Sequence, residues 1–253
     1  MDRATYDRMR TLQEGHWWFR GRRRILSGLI GGLGLPTPAQ ILEVGCGPGG
    51  NLAMLQRFGA VTAVEPDAAS RAYAAERNGV RVEGGLLPDG LPFAPASFDL
   101  VCAFDVIEHV DQDAASVAAL GRLARPGGYL ATTVPGQPWM WSRHDALHHH
   151  KRRYRMRDYR ALFDAAGLKI AAASYFNTLL FPPIAAIRAL KMATGSTAAD
   201  DDAMPPAPIN ALLAGLFGAE LGWLKHASLP IGVSIVVIAQ RPSTEASEGE
   251  RAA

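Results

Sequence analysis

Ile41-Leu42-Glu43-Val44-Gly45-Cys46-Gly47-Pro48-Gly49-Gly50-Asn51 is the stretch that decides the fold. Its apolar run, Ile41 to Val44, reads as a buried strand entering a glycine-packed turn, with a helix expected from near Asn51. Glycine tolerates positive φ and lets a ligand approach the backbone closely, because it has no Cβ. A strand–turn–helix unit of this kind aims backbone N–H groups at an anion lying over the turn. The next strand, Ala60 to Glu65, ends in an acid about 20 residues after Gly45, where a doubly wound sheet holds a nucleotide ribose. Gly45, Gly47 and Gly50 fit G-x-G-x-x-G, while Gly45, Gly47 and Gly49 fit G-x-G-x-G. Such a pattern also suits a plain tight turn, so the loop by itself reads as a nucleotide-type site of open chemistry.

Outward from the loop, apolar and helical segments alternate. Helices are expected over 52–58, 68–78, 113–124 and 156–166, and strands over 80–83, 97–103, 129–134 and 168–175, with a final strand over 232–239. Strands separated by helices of this length argue for an α/β fold with a parallel sheet covered on both faces. The chain has 253 residues, 48% hydrophobic and 20% charged, with a formal net charge of +2. That balance suits a soluble globular protein and predicts no bulk attraction to nucleic acid. The two cysteines, Cys46 and Cys102, make neither a metal-type pair nor a disulfide framework, which points to a reducing cytoplasm. The opening residues are polar, so no secretory leader is expected.

Further along come Glu65, then Leu91-Pro92-Phe93 and Ser97-Phe98-Asp99-Leu100-Val101, then Asp105-Val106-Ile107-Glu108-His109-Val110, then Leu123-Ala124-Arg125-Pro126-Gly127-Gly128. Preceded by Glu43-Val44-Gly45-Cys46-Gly47-Pro48-Gly49, this ordered set resembles the type 11 group of class I S-adenosyl-L-methionine (SAM)-dependent methyltransferases over roughly residues 40 to 170. The resemblance implies a Rossmann-like, doubly wound, seven-stranded sheet whose last strand is antiparallel. It implies SAM as cofactor, at Glu43, Gly45, Cys46, Gly47, Gly49, Glu65, Pro66, Leu86, Leu87, Phe104 and Asp105. Gly45 to Gly47 would face its methionine part, Glu65 its ribose hydroxyls, and Leu86 and Leu87 its adenine. Gly84-Gly85-Leu86 lacks the acid many relatives carry there, and Asp89 is the substitute at hand.

Methyl transfer from a sulfonium needs an acceptor held in line and, for a hydroxyl, a group that removes its proton. Histidine suits that task near neutral pH. The loop after the fifth strand holds His144-Asp145 and His148-His149-His150-Lys151-Arg152-Arg153-Tyr154. His150 and His144 are the leading base candidates, with His109 and Tyr154 beside them, Asp145 as orienter and Arg153 as a substrate contact. Consecutive histidines at 148–150 fit no standard ligand spacing, so no metal is expected. The same basic run also reads as a solvated face.

Three segments flank or interrupt the domain of residues 37–240. Residues 1–36 form an N-terminal helical cap, where a helix over 20–30 would bury Ile25, Leu26 and Leu29 and turn its arginines outward. A lid over the cofactor, or a contact with anionic lipid head groups or a phosphorylated substrate, is the sharper reading of that segment. Residues 176–228 form an apolar helical insertion before the last strand, read either as a cap on the domain or as a greasy lid for a lipid-like acceptor. Its apolar runs fall short of a membrane span. Residues 241–253 are expected to be a disordered tail.

The reading that results is methyl transfer to a small or lipid-linked acceptor at oxygen. It places the protein in the cytoplasm, with peripheral contact at the inner membrane face through 176–228. Two alternatives stand beside it: a nicotinamide-dependent oxidoreductase or sugar-modifying enzyme on the same glycines, and a non-catalytic SAM-binding protein at a membrane surface.

Overall fold

A computed structural model describes residues 3–194 and 203–243. Seven strands form one sheet in the order β3-β2-β1-β4-β5-β7-β6: β1 Ala39–Val44, β2 Gly59–Val64, β3 Arg81–Glu83, β4 Phe98–Phe104, β5 Ala124–Pro135, β6 Lys169–Phe176 and β7 Ser234–Gln240. Neighbours from β3 through β5 pair in parallel, and β7 lies antiparallel between β5 and β6. The expected seven-stranded α/β sheet with an antiparallel last strand is therefore present. The order reverses between β1 and β4, and ligands of open α/β sheets bind at the carboxyl ends of strands flanking such a switch.

Period-two alternation builds both faces. On β4, Val101 and Ala103 enter the core shared with α5 Asp113–Leu123 and α7 Met156–Ala165. Leu100, Cys102 and Phe104 enter the opposite core, under α2 Trp17–Ile30 and α9 Ala207–Ala219. Strands buried on both faces read as continuous apolar runs, which is why β4 and β7 were visible in the sequence.

The remaining helices are α1 Arg3–Leu12, α3 Leu52–Leu55, α4 Ala68–Asn78, α6 Arg143–Leu147, α8 Phe181–Thr194 and α10 Leu221–Leu224. Three local expectations change. The helix after the glycine loop stops at Leu55, because Arg57 and Phe58 bond back to Met54 and Leu55 in a tightened last turn. Arg125-Pro126-Gly127-Gly128 is an irregularity within β5 rather than a turn before it: the register with β4 jumps from Phe98↔Ala124 to Leu100↔Tyr129. The helix expected over 20–30 begins earlier, at Trp17, with the His16 ring accepting from the Trp18 amide as its cap.

Residues 207–224 form an apolar helical run of 18 residues, long and apolar enough to cross a membrane. Its α-helical bonding is interrupted at the fully buried Glu220, whose carboxylate accepts from the Leu179 amide at 2.8 Å. Its inner face packs on α2, where Gly21 and Gly28 leave notches for Phe217 and Leu221. The expectation that the insertion's apolar runs fall short of a span is thereby corrected in length and composition, while the inner face of this run packs on the domain. The tail from residue 244 and the middle of the 194–208 linker lie outside the described residues.

Candidate active site

A cavity of about 520 Å³ opens over the carboxyl ends of β1 and β4. The glycine loop forms its floor. Gly45 sits at φ +72°, and a Cβ there would lie 2.6 Å from Val106 Cγ2, so only glycine fits. Three of the loop amides find their acceptors inside the protein. Gly45 and Cys46 donate to the Val64 carbonyl at 2.8 and 3.1 Å, and Gly47 donates to Glu65 Oε2 at 2.8 Å. Those three amides are therefore already committed and are not offered to a pyrophosphate.

Glu65 is buried, and its other oxygen accepts from the Tyr6 hydroxyl and the Asp67 amide, both at 2.9 Å. Burial raises its pKa, while the bonds from Asp67, Tyr6 and Gly47 act in the opposite direction. Pro66, Leu86, Leu87, Phe104 and Asp105 also line the cavity. Glu43 and Gly49 do not. Glu43 lies beneath the floor, where Asn51 donates to one of its oxygens at 2.7 Å and the other has no partner among the described residues. Burial pushes the Glu43 pKa up to about 7. Asp89 lies outside the cavity, so it does not replace the missing adenine contact.

The N-terminal segment supplies one wall, through Tyr6, Met9, Gln13, Trp18 and Arg22 among others. Arg22 is not outward: it is buried, stacks over the Trp18 ring at 4.5 Å and pairs with Asp105. Asp105, at φ 57°, also accepts from the Thr133 hydroxyl at 3.1 Å. A chain of polar contacts thus runs from Glu43 through Asn51, Arg22 and Asp105 to Thr133. Sequence reasoning missed Arg22 among its neighbouring arginines. The signal was there, because Trp18, Ile25, Leu26 and Leu29 occupy its own helical face at spacings of three, four and seven.

The histidines gather at the other end of the cavity. A 3-10 turn, Ile107–His109, follows β4 and carries Glu108 and His109. Facing it, His150 Nδ1 lies 3.0 Å from Asp145 Oδ1. Asp145 is fully buried and also receives the Ser142 amide at 2.9 Å and Arg153 at 2.8 Å. Burial alone would raise the Asp145 pKa. The His150 bond and the guanidinium charges of Arg153 and Arg188 outweigh it and hold the carboxyl below its ordinary range. An ionised Asp145 fixes the proton of His150 on Nδ1 and leaves a lone pair on Nε2. Burial lowers the His150 pKa, partly offset by the Asp145 bond, and burial beside His150 lowers His109 to about 3.

His144 and His148 line the same end, with ring centroids 6.3 and 5.9 Å from His150. Tyr154 does not line it: its hydroxyl donates to Asp113 at 2.9 Å and its ring packs on Tyr159 in the core. A catalytic role for Tyr154 is therefore withdrawn. Arg153 donates to the Gly136 and Val233 carbonyls as well as to Asp145, which makes it an internal clamp at the cavity edge rather than a free substrate contact. Glu108 was the other omission; it is fully buried with both oxygens unpartnered among the described residues.

Residues 42–132 match the family model described as a methyltransferase domain. Over those residues the chain is similar to a methyltransferase domain, and its sheet has the class I methyltransferase topology. SAM is the cofactor of that class, and the glycine floor, the buried acid at the end of β2 and the occupied loop amides fit it better than a dinucleotide. A ubiquinone biosynthesis O-methyltransferase of Methylocella silvestris is 38% identical over 103 residues, covering 38% of this chain and 40% of the relative. A malonyl-[acyl-carrier protein] O-methyltransferase of Enterobacter lignolyticus is 32% identical over 114 residues, covering 45% of each chain. The chain thus spans less than half the length of these curated relatives. A methyltransferase solved in complex with the Haloferax volcanii Trm112 activator aligns over 95% of both chains, with a TM-score of 0.62 at 15% identity. At that identity the likeness shows the fold of the methyltransferase domain.

Proposed function

We propose that the chain transfers the methyl group of SAM to a hydroxyl of a small or lipid-linked acceptor. The observation that carries this is the continuity of one cavity from the glycine floor and Glu65 to the Asp145-oriented His150. Bound SAM would supply a methyl carbon already activated by its sulfonium. Glu65 would hold the ribose, Leu86 and Leu87 would flank the adenine, and Gly45 to Gly47 would admit the methionine part. An acceptor hydroxyl at the opposite end would be deprotonated through His150, which lines the cavity and whose Nδ1 Asp145 holds. The two O-methyltransferase relatives support oxygen as the accepting atom.

Helix α8 gives the acceptor end part of its apolar character. Ile184, Ile187 and Arg188 of this helix line the cavity, so the insertion contributes a wall to the acceptor end. Its exposed apolar side chains favour a cytoplasmic protein resting on a membrane surface over one wholly in bulk solvent.

Thermal shift against S-adenosylhomocysteine and NAD(H) tests the cofactor. S-adenosylhomocysteine should stabilise the protein, and Glu65→Ala should weaken its binding roughly 10- to 100-fold, the scale of charge-assisted hydrogen bonds. Stabilisation by NAD(H) alone would overturn the reading. Radiolabelled methyl from SAM should appear in an organic extract of lysate lipids rather than in the aqueous fraction; no labelled product in either favours a non-catalytic protein.

A further inference from the structure

We propose that Glu108, His109 and His150 form a divalent-cation site at the acceptor end of the cavity. One donor atom from each of the three lies within 4.8 Å of the others. Glu108 Oε1 and His150 Nε2 are 4.0 Å apart, and the His109 and His150 rings are 4.8 Å apart between centroids. With bonds of about 2.1 Å, donors around one ion sit about 3.4 Å apart in a tetrahedron and about 4.2 Å apart across an octahedron. Small side-chain rotations close the remaining difference.

Three independent features point to a cation rather than to an internal contact. Glu108 is fully buried, and neither carboxylate oxygen has a hydrogen-bond partner among the described residues. A buried carboxylate without a partner is costly unless a proton or a cation neutralises it. The nearby guanidinium groups are committed elsewhere, Arg22 to Asp105 and Arg153 to Asp145. Next, the loop holds both histidines beside it: the Lys151 amide donates to the Glu108 carbonyl at 2.7 Å, tying the 3-10 turn to the segment bearing His150. Last, Asp145 accepts from His150 Nδ1, the carboxylate–imidazole arrangement that orients and strengthens a metal-binding Nε2.

Two imidazole nitrogens and one carboxylate oxygen suit a first-row transition ion such as Zn²⁺, Co²⁺ or Mn²⁺ better than Mg²⁺, which prefers oxygen donors throughout. Three protein ligands leave positions open for an acceptor oxygen. That placement rests on the methyl-transfer reading above; cation binding does not. A hydroxyl bound to the ion would release its proton to water at the cavity mouth. Its oxygen would then form the new C–O bond as the C–S bond breaks onto sulfur, giving a methyl ether and S-adenosylhomocysteine. His150 acts here as a ligand, and the ion takes over the lowering of the hydroxyl pKa.

Glu108 and His109 come from the turn after β4, about 40 residues before His150, so the spacing within 148–150 does not display this group.

Tag-free protein, stripped with EDTA and dialysed, should bind one equivalent of Co²⁺ or Zn²⁺ by calorimetry. The Co²⁺ form should show visible d–d absorption of a four- or five-coordinate ion. Glu108→Gln and His150→Ala should each weaken binding at least ~50-fold, while the exposed control His226→Ala should not. S-adenosylhomocysteine binding by the variants should persist, which shows that they fold. Absence of stoichiometric binding of Co²⁺, Zn²⁺ and Mn²⁺ to wild type, or binding indifferent to both variants, overturns the site and leaves a proton as the neutralising partner of Glu108. Cation binding without any S-adenosylhomocysteine binding would uphold the site and sink the methyltransferase reading instead.

Discussion

Glu43 carries its charge at a cost. It lies beneath the cavity floor with one oxygen bonded to Asn51 and the other unpartnered among the described residues, and burial raises its pKa to about 7. In the unfolded chain the same group titrates in the ordinary carboxylate range, so between there and about pH 7 the folded state holds the extra proton. Stability from this residue is therefore complete at low pH and is lost as pH rises through 7. Glu43→Gln removes the dependence while keeping an oxygen for Asn51. In urea titrations the variant should match wild type near pH 4 and exceed it by on the order of 2 kcal/mol at pH 8. A constant difference between the two pH values would contradict this. Glu43 was legible in the sequence as a position, since it precedes the glycine loop, but not as a support rather than a lining residue. Only the burial pattern of β1, with both faces covered, separates the two.

Gly21 and Gly28, one helical heptad apart on α2, shape how α2 and α9 meet. A Cβ at Gly21 would lie 2.4 Å from Phe217 Cδ1, and one at Gly28 would lie 2.4 Å from Leu221 Cδ2. Phe217 is fully buried and stacks on Phe176 at 5.8 Å, so it has little room to retreat. Gly21→Ala should destabilise the protein by about 1–3 kcal/mol despite the better helix propensity of alanine. Gly215→Ala, on the exposed face of α9 with nothing within 4 Å, should instead stabilise by up to about 1 kcal/mol. Thermal or urea unfolding of the pair reads both signs. The individual helices could be seen as apolar stripes in the sequence. Their partnership could not, because residues 21 and 217 lie at opposite ends of the chain and no local period relates them. Sequence distance likewise hid the link between Glu108 and His150, whereas strands β1 to β4, each set by a local run and its adjacent turn, were readable to within about two residues; β5 was not, because its first residues, Ala124 to Gly128, look like a turn.

Across the whole molecule, the insertion leaves apolar side chains outward on both α8 and the α9–α10 run. Leu190 on α8 and Leu212 on α9 are 65% and 62% exposed, and Ile187, Met192, Ile209 and Trp223 are exposed with them. If these side chains meet lipid, the protein should sediment with anionic liposomes, and Leu190→Glu with Leu212→Glu should return it to the supernatant. Wild-type protein that stays in the supernatant would end the membrane reading without touching the methyl-transfer one. The opposite side of the cavity has its own consequence. Tyr6, on the first helix, donates to the same Glu65 oxygen that also receives the Asp67 amide. On the role proposed for Glu65, a ribose seeking that oxygen must share it with the tyrosine or displace it. Cofactor occupancy and the seating of α1 are then linked equilibria, and each shifts the other by the same free energy. Protease cleavage within the first dozen residues would thus serve as a gauge of how full the site is.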